Sequence, residues 1–247
     1  HVYELFWNTE GGNSMFQECI NPSLIPILNR LVEYGILTDR GFYLAGGTAL
    51  AIQLGHRISV DLDFFTFDDF EPQNLLISLN ESLGEINVMN TSKGTLNSVI
   101  NGEKVSFLKY PYKNIYPPLD FRGCPIADYR DIGASKLMTI SQRGLIRDFY
   151  DLDAVIQTGI SFTQIVAIME EKYPTVKTIM PHIMRSIGYF EDADNEPRPL
   201  IRRAKGFSLL TDSEWNEIKQ RFLILQKNAL TQELGINPEA TSHDKHH

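Results

Sequence analysis

Cysteine is scarce in this chain: Cys19 and Cys124 are the only two among 247 residues, and neither has a Cys or His partner at metal-ligand spacing. That argues against a disulfide framework and a thiolate zinc centre, and both are expected as buried thiols. Long apolar runs are missing as well. Stretches such as Leu24 to Leu28 and Phe222 to Leu225 fall far short of the ~20 residues that a membrane-crossing helix needs. Positive charge is in deficit, with 23 Lys and Arg against 31 Asp and Glu and a net charge of −8. Indiscriminate binding to polyanions is thereby disfavoured, while a local basic patch remains compatible. There is no low-complexity tract or fixed-period repeat, which argues against disorder and against a solenoid. His1 to Asn13 lack the basic start and apolar run of a secretory leader, so the expectation is a cytoplasmic protein with no membrane partner.

What remains is a globular balance, 43% hydrophobic and 22% charged, in a chain long enough to bury a core as two unequal domains. Leu24, Ile27, Leu28, Leu31 and Val32 recur at helical spacing, with Asn21 as the expected cap before Pro22. Phe42 to Ala45 reads as a short strand, Gly46-Gly47 breaks it, and Thr48 to Leu54 reads as helix. Val60 to Phe67, rich in β-formers, is a second strand. A helix over Leu75 to Leu83 precedes a meander of Ile86 to Asn90, Thr95 to Ile100 and Lys104 to Tyr110, with Asn101-Gly102 as a hairpin signal. Pro111, Pro117, Pro118 and Pro125 mark a connector expected to end the sheet. Beyond it the chain reads as helical throughout. Ile132 to Arg143 and Arg147 to Gln157 are separated by Gly144, and the capping boxes Ser161/Gln164 and Thr211/Glu214 open two more helices. Between those boxes Val176 to Ile187 reads as a helix broken at Pro181. The predicted class is α+β, with a mixed-sheet domain over 1–128 and an all-helical domain over 129–247.

Side chains alternate along a strand, so Asp61 and Asp63 share one face, about 6 to 7 Å apart, while Leu62 and Phe64 point into the core. Two carboxylates so placed repel unless a cation lies between them, and magnesium takes carboxylate oxygens together with substrate phosphates. An isolated Asp-x-Asp is more often a pair of solvent-facing acids; the neighbouring turn changes the reading. Gly46-Gly47 ends one strand and opens a helix, whose exposed N–H groups and positive dipole end suit a phosphate. A phosphate cradle and a carboxylate pair on successive strands together describe a site for a metal-bound triphosphate. Ser59 falls on the carboxylate face by the same period of two, to bond the nucleotide or an Asp, or as a strand-entry hydroxyl. His56 and Arg57 either bind phosphate or brace the loop.

The runs Tyr43-Leu44-Ala45-Gly46-Gly47-Thr48-Ala49-Leu50, Leu54-Gly55-His56-Arg57 and Ser59-Val60-Asp61-Leu62-Asp63-Phe64-Phe65 closely resemble the AbiEii/AbiGii toxin family of nucleotidyltransferases, within the DNA polymerase β-like superfamily. Lys136 and Arg147-Asp148-Phe149-Tyr150-Asp151 match that family's helical lysine and its basic-Asp-Phe-Tyr-Asp element, so the likeness runs from about Met15 to at least Val155. The resemblance implies a polymerase β-like mixed sheet with flanking helices. It implies Asp61 and Asp63 as ligands of Mg2+ or Mn2+, and Asp148 in the active site. Gly46, Gly47, Thr48, Ser59, Arg57 and Lys136 are the expected nucleotide contacts. On one unbroken helix Lys136 and Asp148 would lie ~18 Å and roughly 120° apart, unable to share a nucleotide, so Gly144 is expected to break the helix and fold Asp148 back. The superfamily's third carboxylate falls at Ser106, which leaves Asp148 to supply the missing charge or the site to work with one tightly held ion.

The expected reaction is transfer of a nucleoside monophosphate from an NTP to a hydroxyl, releasing pyrophosphate, with Asp148 as general base. The resemblance further implies a toxin-like or phage-defence role, a cognate antitoxin, and RNA, foremost the tRNA 3′ end, as acceptor; a protein hydroxyl, a small molecule, or phosphoryl transfer at the same site are the alternatives. Arg198, Arg202, Arg203, Lys205, Lys219, Arg221 and Lys227 are basic residues of the helical half suited to a phosphate backbone. A second reading, prompted by Ser106 and the negative net charge, is a catalytically degenerate module that binds a nucleotide or a protein. The tail His243 to His247 reads as a flexible terminus.

Overall fold

The computed structural model describes residues 15–233; the expectations for His1 to Asn13 and for the tail His243 to His247 lie outside the described residues. In chain order the elements are α1 (Leu24–Glu33), β1 (Tyr43–Ala45), α2 (Gly46–Leu54), β2 (Asp61–Thr66), α3 (Pro72–Leu83), β3 (Asn87–Ser92), β4 (Thr95–Ile100), β5 (Glu103–Lys109), β6 (Leu119–Phe121) and β7 (Cys124–Ile126). They continue as α4 (Tyr129–Gln142), α5 (Ile146–Gln157), α6 (Phe162–Lys172), α7 (Met180–Ser186), α8 (Glu191–Asp194), β8 (Leu200–Arg202), β9 (Phe207–Leu209) and α9 (Asp212–Glu233). The class is α+β, a mixed sheet with flanking helices followed by a mainly helical region.

Seven strands form one sheet in the order β3-β4-β5-β2-β1-β7-β6. The β2–β5 and β1–β7 pairs run parallel and the others antiparallel. In β2, Leu62, Phe64 and Thr66 are buried while Asp61, Asp63 and Phe65 stay half-exposed, so one face of the strand joins the core and the other carries the acids. Val105 and Phe107 of β5 continue the core face, and Phe64 stacks on Phe107 with ring centroids 5.2 Å apart. Cys19 and Cys124 are both free and fully buried.

The structure corrects several readings. The proline-rich connector does not end the sheet: it contributes β6 and β7, and β7 lies beside β1 through Leu44 and Ile126. Arg122 and Gly123, at φ 57 and 82, form the two-residue turn between them, because a primed hairpin turn needs positive φ at both central positions. Pro125 faces Asp120 in the pair next to the turn-closing pair Phe121–Cys124, a position that exchanges no N–H···O bond, so the missing proline donor costs nothing there. Helix α1 starts after Ser23, not at an Asn21 cap; the Asn21 side chain instead accepts a bond from the Ser23 N–H. The C-terminal region is not all-helical either, since β8 and β9 pair as a small hairpin. That hairpin is tied to the segment after α2: Ile58 N–H donates to Leu200 O and Arg202 N–H to His56 O, each at 2.9 Å.

The capping boxes are present. Ser161 and Gln164 exchange bonds at the start of α6, and Thr211 and Glu214 do so ahead of α9. Val176–Ile179 is a 3-10 turn, and Pro181 sits in the first turn of α7, where its missing N–H is harmless. Connector, α4 and α6 are clasped by the fully buried Asp131, which accepts from the Ile115 and Tyr116 N–H groups and from Lys172 Nζ at 2.8 Å.

Candidate active site

The turn between β1 and α2 lies directly against the acids of β2. Ala45 is in register with Asp63. Gly46 takes a left-handed φ of +63, and a Cβ on it would come within 3.1 Å of Asp63 Oδ2. Glycine is needed here on two counts: only it adopts this backbone without strain, and any side chain would press on the carboxylate. Gly47 is constrained differently, because its Cβ would lie 2.2 Å from Arg57 Nη2, closer than any real contact. The Thr48 hydroxyl, buried in the first turn of α2, donates to the carbonyl oxygen of Asp61 and lies 2.7 Å from the Ser59 hydroxyl. Ser59 is itself buried, 3.5 Å from where a Gly47 Cβ would be. Thr48 and Ser59 thus fasten the glycine turn to the start of β2.

Helix α4 ends at Gln142 and α5 begins at Ile146, with Gly144 between them at φ +50. The reversal brings Lys136 Nζ to 2.8 Å from Asp148 Oδ1, where a continuous helix would hold them far apart. One turn further along α5, Asp151 is fully buried and collects three partners. Arg57 grips it with Nε at 2.6 Å and Nη2 at 2.9 Å, Lys136 Nζ lies 2.6 Å from its Oδ2, and His56 Nε2 lies 2.8 Å from its Oδ1. Burial alone would raise the Asp151 carboxyl, but Arg57 and Lys136 hold it well below the usual carboxylate range. Burial would likewise strip the proton from Lys136, yet Asp151 and Asp148 reverse this and keep the ammonium charged. For His56 burial prevails over Asp151 and pushes the ring below its ordinary value, so it is neutral at pH 7, with its Nε2 hydrogen toward Asp151.

Asp63 carries the other electrostatic signature. Burial first, then the charge of Asp61, raises its carboxyl from 3.8 to about 6, and a hydrogen bond from Ser106 offsets only part of the rise. Ser106 lies in register with Asp63 on β5, where the third carboxylate was expected. Among the described residues no group of three His, Cys, Asp or Glu is arranged to hold a metal ion, and none forms an ion pair with Asp61 or Asp63. The two acids nevertheless fit a divalent cation: they share one half-exposed face, and the raised Asp63 carboxyl marks negative charge that a cation would relieve.

Two residues at the site had no role assigned from the sequence, although Asp151 closes the matched element that begins at Arg147. Asp151 stands three positions after Asp148, the spacing that puts both on one helix face, and this was its available signal. Arg143, at the end of α4, lies with Nε 3.4 Å from Asp148 Oδ2. The basic residues expected to grip RNA are mostly committed to acids: Arg198 to Asp212, Arg202 to Glu18, Arg203 to Glu214, Lys219 to Asp194 and Arg221 to Asp153. Lys205 and Lys227 are exposed.

One consequence is directly testable. Gly47→Ala displaces the Arg57 guanidinium from its seat on Asp151, and the expected cost is about 1 to 3 kcal/mol. Thermal melting should fall accordingly, and an unchanged melting temperature would contradict the packing described.

Residues 36–122 and 105–234 match the family described as nucleotidyl transferase AbiEii toxin, type IV toxin–antitoxin system. The chain is 38% identical over 173 residues to uncharacterized protein aq_aa25 of Aquifex aeolicus (strain VF5), spanning 68% of this chain and 82% of that one. Among solved structures, JHP933 from Helicobacter pylori aligns over 88% of this chain and 98% of its own, at 15% identity and a TM-score of 0.47. MenT4, a nucleotidyltransferase toxin from Mycobacterium tuberculosis H37Rv, aligns over 83% of each chain, at 16% identity and a TM-score of 0.47.

Proposed function

The chain belongs to the AbiEii nucleotidyl transferase toxin family, and from that premise we propose that it transfers a nucleoside monophosphate from an NTP to an RNA hydroxyl, the tRNA 3′ end, using Mg2+ or Mn2+ held by Asp61 and Asp63. Membership supplies the coarser part: a nucleotidyltransferase, of a family of toxins that act on NTPs and are paired with antitoxins. The observation that supports transfer at this site is the convergence of Gly46, Asp63, Lys136 and Asp148 from four separate elements. When bound, the ion activates the attacking oxygen and neutralises charge on the phosphates.

The protein's own groups supply the rest. The N–H groups of the Gly46-Gly47 turn, at the start of α2, accept the phosphates. Lys136 has three N–H donors, of which two face Asp148 and Asp151, and the third serves the nucleotide. Arg57, Thr48 and Ser59 hold the turn in place and do not meet the ligand. Asp148 is the general base. Its Oδ1 is held by Lys136 while its buried Oδ2 accepts no hydrogen bond among the described residues, and this oxygen takes the proton of the acceptor hydroxyl, by direct contact or through a water. The acceptor oxygen then bonds to the α-phosphorus, the bond to the bridging α–β oxygen breaks, and pyrophosphate leaves. The segment from 129 onward, mainly helical with the β8–β9 hairpin, completes the site.

Incubating the purified protein with each α-labelled NTP, Mg2+ and total RNA tests the acceptor. Label at tRNA 3′ ends is expected; label confined to the protein itself sinks the RNA assignment. Ser106 in the register of Asp63 supports a second reading, a site that binds nucleotide without turnover. Nucleotide binding with no label transferred to anything would favour it.

A further inference from the structure

Both side chains expected to neutralise a triphosphate are already neutralised. All three Arg57 nitrogens are engaged, with Nε and Nη2 on Asp151 and Nη1 on Ile58 O at 3.0 Å, and its side chain is 5% exposed. Lys136 is 11% exposed and shared between Asp148 and Asp151. These two cations cancel those two carboxylates. A divalent ion on Asp61 and Asp63 cancels two more, so a triphosphate entering here meets no net positive charge from any of these groups.

Arg143 is differently placed. It follows the last residue of α4 at the Gly144 break, its side chain is 62% exposed, and its Nε lies 3.4 Å from Asp148 Oδ2. The contact is an ion pair without hydrogen-bond geometry, since Asp148 Oδ2 accepts no hydrogen bond. The two Nη groups have no partner among the described residues, so four of the five guanidinium donors are uncommitted. The positive charge of Arg143 is also felt at Asp63. An exposed arginine ion-paired to the proposed base, with a planar donor fork matched to phosphate oxygens, has the chemistry the interior lacks.

We propose that Arg143 receives the nucleotide's phosphates, bridging them to Asp148; this rests on the nucleotidyltransferase reading above. Arg143 thereby links occupancy of the phosphate site to the position of the base. Lys104, exposed and in register with Asp61 on β5, is the competing cation on the same face.

Isothermal titration of the full chain in Mg2+ separates the candidates, with inorganic tripolyphosphate as a base-independent probe beside the α,β-methylene analogues of the four NTPs. Arg143→Ala should weaken tripolyphosphate, and every analogue that the wild type binds, by on the order of tenfold to a hundredfold, the value of a lost charged hydrogen bond. Arg143→Lys should recover part of that loss, and the melting temperatures of both variants should match wild type, because the side chain is mostly in solvent. Lys104→Ala should bind within about twofold of wild type, on the same scale of effects. If Arg143→Ala binds as tightly as wild type, or if Lys104→Ala carries the loss instead, the assignment is overturned while the nucleotidyltransferase reading stands. Wild-type protein that binds neither tripolyphosphate nor any analogue would overturn that reading together with the inference.

Discussion

Asp63→Ala abolishes nucleotidyl transfer, by on the order of a thousandfold or more, without unfolding the protein. The residue is partly buried, borders the turn glycine Gly46, and forms no ion pair among the described residues, so its removal strands no partner charge. The conservative variant Asp63→Asn makes the point more sharply, because it separates charge from shape. In the folded protein the carboxyl sits at about 6 against an ordinary 3.8. The neutral form is therefore favoured by folding. Stability from this group is whole below 3.8 and is lost as the pH rises through about 6, at a cost of about 3 kcal/mol. Ligand-free Asp63→Asn should melt a few °C above wild type at pH 8, and no higher at pH 4. Millimolar Mg2+ should raise the wild type at pH 8 and leave the variant unmoved. A variant that melts below wild type at pH 8, or one that retains full transfer, would remove Asp63 from the role assigned to it.

Replacing Asp151 has the largest expected effect on stability. The carboxylate is the shared counter-ion of Arg57 and Lys136 and the acceptor for His56, all within 2.9 Å and all buried. Asp151→Ala leaves two cations without a partner in the interior, a mechanism that costs about 3 to 5 kcal/mol for a single broken pair. That is a large fraction of a typical folding free energy, so the variant should be partly unfolded or insoluble at 37 °C. Asp151→Asn retains the shape but not the charge, and is expected to fold at 20 °C with a clearly lowered melting temperature. Acid should act in the same sense. The Asp151 carboxyl is held well below its ordinary value, so its stabilisation is present above about pH 4 and is lost as the pH falls toward the folded value. Denaturation followed against pH would show the wild type losing this contribution in acid. An Asn variant with wild-type stability at pH 7 would contradict the network.

Local pattern made much of this legible. Alternation along β2 separates the half-exposed Asp61 and Asp63 from the buried Leu62 and Phe64, and the two capping boxes announce the starts of α6 and α9. The break at Gly144 followed from the family resemblance and geometry together, since the resemblance placed Lys136 and Asp148 in one site and a straight helix could not bring them there. What was hidden depends on long-range partners. Asp151 reads as one more acid on a helix until His56 and Arg57, more than 90 positions away, are seen to close on it. The basic residues of the C-terminal region look like an RNA surface because Glu18 and Asp153, which occupy Arg202 and Arg221, are far off in sequence. Strands β6 and β7 were obscured by prolines, whose cost depends on which N–H groups the ladder uses.

The most direct test of the account compares two labels in one reaction. Purified protein, Mg2+ and RNA would be incubated with the same NTP carrying radioactive phosphorus at either the α or the γ position, with Asp63→Ala in parallel. Nucleotidyl transfer at Asp61 and Asp63 predicts α label in the product, γ label released as pyrophosphate, and neither with the variant. Label from the γ position in the product would show phosphoryl transfer instead, and α transfer undiminished in Asp63→Ala would show that the chemistry takes place elsewhere.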